Sequence, residues 1–561
     1  MKVTIKRLLS GVAAVAIATV GLVSGAGTAN AATPTASTES GTITINGEGA
    51  TDHDFKAYLI AAYNSDYSFD ATKDVTNLSL VLPAYGTEIS TVLFDSTGLK
   101  DINDLNTQDG SNWEFDAANG NSNVRKFAQA LAADKANLGT PQTLKAGANT
   151  VNPEGVYLIV DTTALGDGAT TTVSVPMIVG STLSKDVKKE SKKVLGEVDV
   201  KNTVIPVHKQ VVKNDGTPNN NPSYKLGDTI NFELSTVIPN FSGYDKNAED
   251  PTADNARALQ LTDDFSDGLT YDAITSVKVG DKQLTVDTDY TVAEPTGARG
   301  GSLVVDFGKF VNEAAGATAN VSDYYGKKIT VLVTAHLNDE AVIATTGTDD
   351  LVPGNDANGN PNTVSVTFSN NPSDYSQRHT TPGDTVNVYS FKYTLKKTGQ
   401  GNDAEGLVGA KFTIKDSDGS FLGYNETTKQ WKSVGTAEPA AAEGNATEQG
   451  IFTSAPDIEF NGLKEGKYTV HEVQAPDGYL STNLPTFTFT LDAEYINDTS
   501  NTSAGAGSIS GDDSLKTLTY SAAADGLPSD GYIEGGTDGT VTVKNFTSIT
   551  QLPKTGAAGI A

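Results

Sequence analysis

Twice along this 561-residue chain a lysine, an acidic residue and an asparagine follow one another, each set into a strand-like alternation. In the C-terminal third, Phe391, Tyr393, Leu395 and Lys397 share one face of a strand; Glu472 shares a face with Tyr468 and Val470, and Asn545 with Val541 and Val543. An amine and a carboxyl on apolar faces are expected to be buried, and burial favours their uncharged forms. A neutral amine can attack the asparagine side-chain carbonyl while the acid polarises it and relays protons. Ammonia leaves and an isopeptide bond remains, with fixed proximity in a folded core supplying the rate. Taken singly, these residues read as a snorkelling lysine, an exposed glutamate and a turn asparagine. Repetition of the order argues for the reactive reading. The second set is Lys209 in Val207-His208-Lys209-Gln210-Val211, Asp263 in Leu261-Thr262-Asp263-Asp264-Phe265, and Asn370 in the stretch from Val364 to Pro372. Alternation alone selects neither Asp263 over Asp264 nor Asn370 over Asn371.

Chemistry of another kind is written near the C-terminus. Leu552-Pro553-Lys554-Thr555-Gly556 spells the pentapeptide of a sortase, which cleaves between Thr555 and Gly556 and passes the threonyl group to an amine. Such a chain is a substrate for attachment rather than an enzyme. At the other end, Lys2, Lys6 and Arg7 precede an apolar run from Leu8 to Val23, and Ala29-Asn30-Ala31 fits the small-residue cleavage rule. The glycines at 11, 21 and 25 and the shortness of the run favour a signal peptide over a membrane anchor, with a mature start near Ala32.

Composition narrows the partners. The formal charge is −29, and −32 without the three cations of the signal peptide, which argues against nucleic acid and anionic membranes. Cysteine is absent, excluding disulfides and thiolate metal sites, and the five histidines show no metal spacing. No cofactor is implied. The Asp-, Gly- and Asn-rich stretch from Gly347 to Asn362 fits no EF-hand and reads as a solvated loop.

Positioning these groups requires tandem sandwiches. The expected fold is all-β, with immunoglobulin-like domains in series. Residues 1–31 form the signal peptide and 32–201 an N-terminal domain, whose Val124, Phe127, Ala128 and Leu131 recur at helical spacing. Residues 202–383 and 384–548 form two crosslinkable domains, and 549–561 carry the sorting segment.

These motifs together resemble the backbone subunits of sortase-assembled pili of Gram-positive bacteria. Lys467 to Tyr479 (KYTVHEVQAPDGY) is similar to the acid-bearing region of a collagen-adhesin B-type domain, and VTVKNF to its closing strand. Leu261 to Tyr271 and Val366 to Pro372 resemble an A-type pilin domain, and the resemblance selects Asp263 and Asn370. It implies bonds Lys209–Asn370 and Lys397–Asn545, assisted by Asp263 and Glu472. It also implies a lysine that accepts Thr555 of the next copy. Lys201, in the pair Lys201-Asn202, is favoured over Lys185, Lys188, Lys189, Lys192 and Lys193. The implied partners are a pilus-specific and a housekeeping sortase, further copies of the chain, a minor tip or base pilin, and peptidoglycan. Family members continue past the pentapeptide with a membrane-spanning run and basic tail, so a continuation beyond Ala561 is expected. The rival reading is a singly anchored adhesin or a minor pilin that binds a host ligand.

Overall fold

A computed structural model describes residues 34–47, 49–71, 75–76, 78–102, 123–165, 169–186, 195–200, 202–318, 320–344, 359–372, 377–400, 406–442, 444, 446–496, 514–525 and 531–551. The described chain is predominantly β-strand, and its strands fall into three successive groups of sheets.

In the first group, Phe55–Tyr63 and Gly155–Asp161 form the centre of a sheet flanked by Leu80–Val81 and Met177–Gly180. Every residue of Gly155–Asp161 is buried, because the sheet is covered on both faces. One face packs Ile60, Leu158 and Val160 under the helices Gly86–Thr97 and Asn123–Ala133. The other packs Ala57, Tyr157 and Ile159 against Ile43 and Ile45 of a smaller sheet. The expected helix therefore has a companion. Gly86–Thr97 buries Ile89 and Leu93 one turn apart and ends at Gly98, whose φ of 76° stops the helix in the left-handed conformation. Its Ser, Thr and Val content gives it weak intrinsic propensity, and packing against the second helix compensates.

The middle group is a two-sheet sandwich. His208–Val212, Thr229–Val237, Lys328–Leu337 and Leu269–Val279 lie in order in one sheet. Gly301–Asp306, Leu259–Phe265 and Asn360–Ser369 lie in order in the other. Asp384–Val388 pairs with Asn360–Ser369 as well, which moves the middle sandwich past the expected boundary at residue 383. In the third group, Asp457–Leu463, Phe391–Gly399 and Thr540–Asn545 form one sheet, the last two parallel. The facing sheet is built on Lys411–Lys415, Gly466–Gln474, Thr486–Ile496 and Ser514–Ala524. Tyr393 and Phe489 stack across the two sheets at 3.9 Å with ring planes 2° apart.

One continuous apolar core runs through the middle and third groups. Main-chain bonds cross between them. Leu226 N donates to the Gly462 carbonyl at 3.0 Å, Trp431 N to that of Leu226 at 3.0 Å, and Ala344 N to that of Ser390 at 2.8 Å.

Candidate crosslinking sites

The third group assembles its site from both sheets. Lys397, Glu472 and Asn545 each continue the inward face of their strand and are buried. Lys397 lies opposite Val543 in the parallel pair, so Asn545, two residues on, projects to the same side. Glu472 comes from the facing sheet, where its Oε2 stands 3.8 Å from Lys397 Nζ. Nζ donates instead to the carbonyl of Val543 at 2.9 Å and more weakly to that of Thr398 at 3.3 Å. Neither Glu472 oxygen has a hydrogen-bond partner, and neither does Oδ1 of Asn545. Leaving these oxygens buried without donors is costly. Burial brings the Lys397 amine down to about 8, with the charge of Glu472 opposing. Burial likewise pushes Glu472 up to about 7, against the pull of Lys397 and Asn545. An uncharged amine and an uncharged acid beside an amide carbonyl are thereby brought within reach of neutral pH.

The middle site divides the same roles differently. Lys209 stands on the outermost strand of the first sheet, pairs with Leu234 and is 1% exposed. Its Nζ lies 2.6 Å from Asp263 Oδ1 and 4.7 Å from the centre of the Phe232 ring. Asp263 is buried, whereas its neighbour Asp264 is exposed and accepts a hydrogen bond from Ser302. Burial pushes Lys209 down and Asp263 up, each against the attraction of the other.

The amide at this site is not the expected one. Asn362 Nδ2 donates to Asp263 Oδ2 at 3.4 Å, and Asn362 Oδ1 has no partner. Asp263 pairs with Val364 and Phe265 with Asn362, so Asp263 and Asn362 are diagonal neighbours on one face. Asn370 lies six residues beyond Val364, about 20 Å along an extended chain. Its carbonyl accepts from Val173 N at 2.7 Å, which places it where the first group of sheets meets the middle one. The adjoining Asn371 and Pro372 line a cleft of about 540 Å³ there, shared with Asp161 and Ser174. The geometry thus places Asn362, where Asn370 was expected, beside Asp263. Sequence reasoning passed over Asn362 by counting it in the loop from Gly347, yet the strand begins at Asn360. The usable signal was alternation: Asn362, Val364, Val366 and Phe368 share one buried face.

The remaining expectations fall elsewhere. Lys201, Leu552, Pro553, Lys554, Thr555 and Gly556 lie outside the described residues, as do the signal peptide and residues 345–358. So do four of the five rival lysines, those at 188, 189, 192 and 193. The fifth, Lys185, donates from Nζ to the carbonyls of Ser65 at 2.7 Å and Tyr67 at 2.8 Å, and sits over the Tyr67 ring. Asn202 is buried, with Nδ2 3.5 Å from His53 Nε2, while His53 Nδ1 meets Asp161 at 2.6 Å.

Among known proteins, residues 226–372 match the family model of the Gram-positive pilin backbone subunit 2, Cna-B-like domain. Residues 391–503 match that of the SpaA prealbumin-like fold domain. Neither is a family of enzymes. A curated relative, the trypsin-resistant surface T6 protein of Streptococcus pyogenes serotype M6, is 22% identical over 344 residues. The match covers 58% of this chain, and the chain spans about half the length of that relative, 53%. Among solved structures, the T6 backbone pilin of serotype M6 Streptococcus pyogenes aligns over 91% of this chain and 99% of its own, at 15% identity and a TM-score of 0.47. The full-length major pilin SpaD from Corynebacterium diphtheriae aligns over 80% and 90%, at 17% identity and 0.39. Two successive segments of this chain are thus similar to a Gram-positive pilin backbone domain and to a SpaA prealbumin-like domain.

Proposed function

We propose that the chain is the structural subunit of a covalent surface fibre, crosslinked within its middle and C-terminal domains by bonds it forms itself. The observation that carries this reading is the pairing of Lys209 and Asp263, both buried and 2.6 Å apart, with the Asn362 amide on the far oxygen of the acid. Neutral Nζ attacks Cγ of Asn362 while protonated Asp263 donates to Oδ1. The tetrahedral intermediate collapses, the Cγ–Nδ2 bond breaks, and the acid relays one lysine proton to the departing amine. One amine and one primary amide become one secondary amide and ammonia. Lys397, Glu472 and Asn545 perform the same exchange in the C-terminal domain.

Between subunits, a sortase cleaves Thr555 from Gly556, and Lys201 of the next copy displaces the enzyme from the threonyl group. Linkage between two different sites of identical chains does not close on itself, so it grows a fibre. A housekeeping sortase then joins the last subunit to peptidoglycan. Support comes from the two pilin-type family matches and from the pentapeptide itself.

Two measurements test the reading. Intact-mass spectrometry of the mature chain is expected to find it lighter by about 17 Da for each of two bonds; an unmodified mass rejects the internal bonds. A denaturing gel of cell-wall extracts is expected to show a polymer ladder that Lys201→Ala abolishes while monomer secretion continues. A branched peptide on Lys185, Lys188, Lys189, Lys192 or Lys193 would move the linkage to that residue, and no branched peptide at all would favour a singly anchored adhesin.

A further inference from the structure

The middle site holds a second carboxylate, which has no part in the proton relay. Asp384 opens the strand Asp384–Val388 and is 1% exposed. Its Oδ2 accepts the backbone N–H of Lys209 at 2.6 Å and faces Nδ1 of His208 at 3.1 Å. Asp384 and Asp263 pair with the same residue, Val364, from opposite sides. Two buried acids therefore flank the Asn362 strand at one level while Lys209 arrives from the facing sheet. Asp263 meets the ammonium and Asp384 meets the main chain.

That division matters because His208–Val212 is the outermost strand of its sheet and only five residues long. A slip of one residue would turn Lys209 outward and bring His208 or Gln210 into the core. We infer that Asp384 is a positioning residue for the middle-domain crosslink: by accepting from Lys209 N–H and His208 Nδ1–H, it fixes the first strand with Nζ beside Asp263 and Asn362. This rests on the proposed Lys209–Asn362 bond. Positioning and charge act with opposite signs here. The charge of Asp384 favours the ammonium form of Lys209 and so retards attack, whereas its two hydrogen bonds promote it.

The test uses the full mature chain carrying Asn545→Ala, so that only the middle bond changes its mass. Protein recovered unfolded is refolded, its folding followed by far-UV circular dichroism and its ammonia loss by intact mass. Asp384→Ala is expected to slow the loss by about tenfold or more in chains that have folded, through lost orientation. Asp384→Asn, which keeps an acceptor oxygen and drops the charge, is expected to recover most of the rate. Equal rates for Asp384→Ala and the parent overturn the inference, and so does a faster reaction of Asp384→Ala or an Asp384→Asn variant as slow as Asp384→Ala. If Asp384→Ala does not fold, His208→Ala carries the test, since it removes one donor and leaves the other; an unchanged rate then overturns the inference. Failure of the parent itself to lose ammonia rejects the underlying bond instead.

Discussion

A lysine ammonium in an apolar core is tolerable only when something answers its charge. The two sites answer it differently: Lys209 has a carboxylate at 2.6 Å, whereas Lys397 leans on carbonyl oxygens with its acid 3.8 Å away. Removing the acid should therefore prevent the chemistry at both sites while costing more stability at the first. Apart from the substitution itself, Asp263→Ala and Glu472→Ala are each expected to leave the mature chain about 17 Da heavier, one bond lost. Replacing the exposed Asp264 is expected to leave the mass of a bonded chain unchanged apart from the substitution itself. If the C-terminal pair forms the proposed bond, it also sets a pH optimum. The reactive form holds one proton between Lys397 and Glu472, on the acid. Below the raised value of Glu472, about 7, both groups carry protons and the amine cannot attack. Above the lowered value of Lys397, about 8, neither does and the acid is lost. Ammonia loss on refolding is expected to follow a bell with its maximum between these values. A rate that rises steadily to pH 10 would count against the acid role of Glu472.

At the scale of strands, each bond would tie the first strand of a sandwich to one near its end, closing a loop of about 150 residues. If it acts like a disulfide of that span it contributes about 5 kcal/mol. Lys397→Ala is then expected to lower the melting temperature of its domain by roughly 10–20 °C and to open it to trypsin. Asn362→Ala should abolish the middle bond and Asn370→Ala should spare it, a contrast readable by mass alone. Most of this was legible from period-two patterning, because Lys209, Asp263, Lys397, Glu472 and Asn545 each extend a run of inward apolar residues. Asn362 was not. Gly359-Asn360-Pro361-Asn362 has the composition of a turn, and only pairing with Leu259–Phe265 and Asp384–Val388 makes it strand. The helix Gly86–Thr97 was hidden for a similar reason: its stability comes from a tertiary contact that local propensity does not encode.

At the scale of the molecule, the middle and C-terminal domains share one core and a set of main-chain bonds, so they should behave as one rigid unit. Hydrogen exchange at the Leu226 and Ala344 amides is expected to be as slow as in the strands themselves; fast exchange there would separate the domains. The positions of the two proposed bonds then acquire a mechanical meaning. A pull between Lys201 and Thr555 would travel from Lys209 across its bond to Asn362, along the chain through Asp384–Val388 to Lys397, and across the second bond to Asn545. The residues enclosed by each bond would never feel the tension. Each loop withholds roughly 500 Å of extended chain that an uncrosslinked domain would release on unfolding. In single-molecule stretching, the intact subunit should lengthen only by its unlinked segments, while Glu472→Ala should restore one long extension step. A fibre built this way would transmit a tug at its tip to the cell with almost no give.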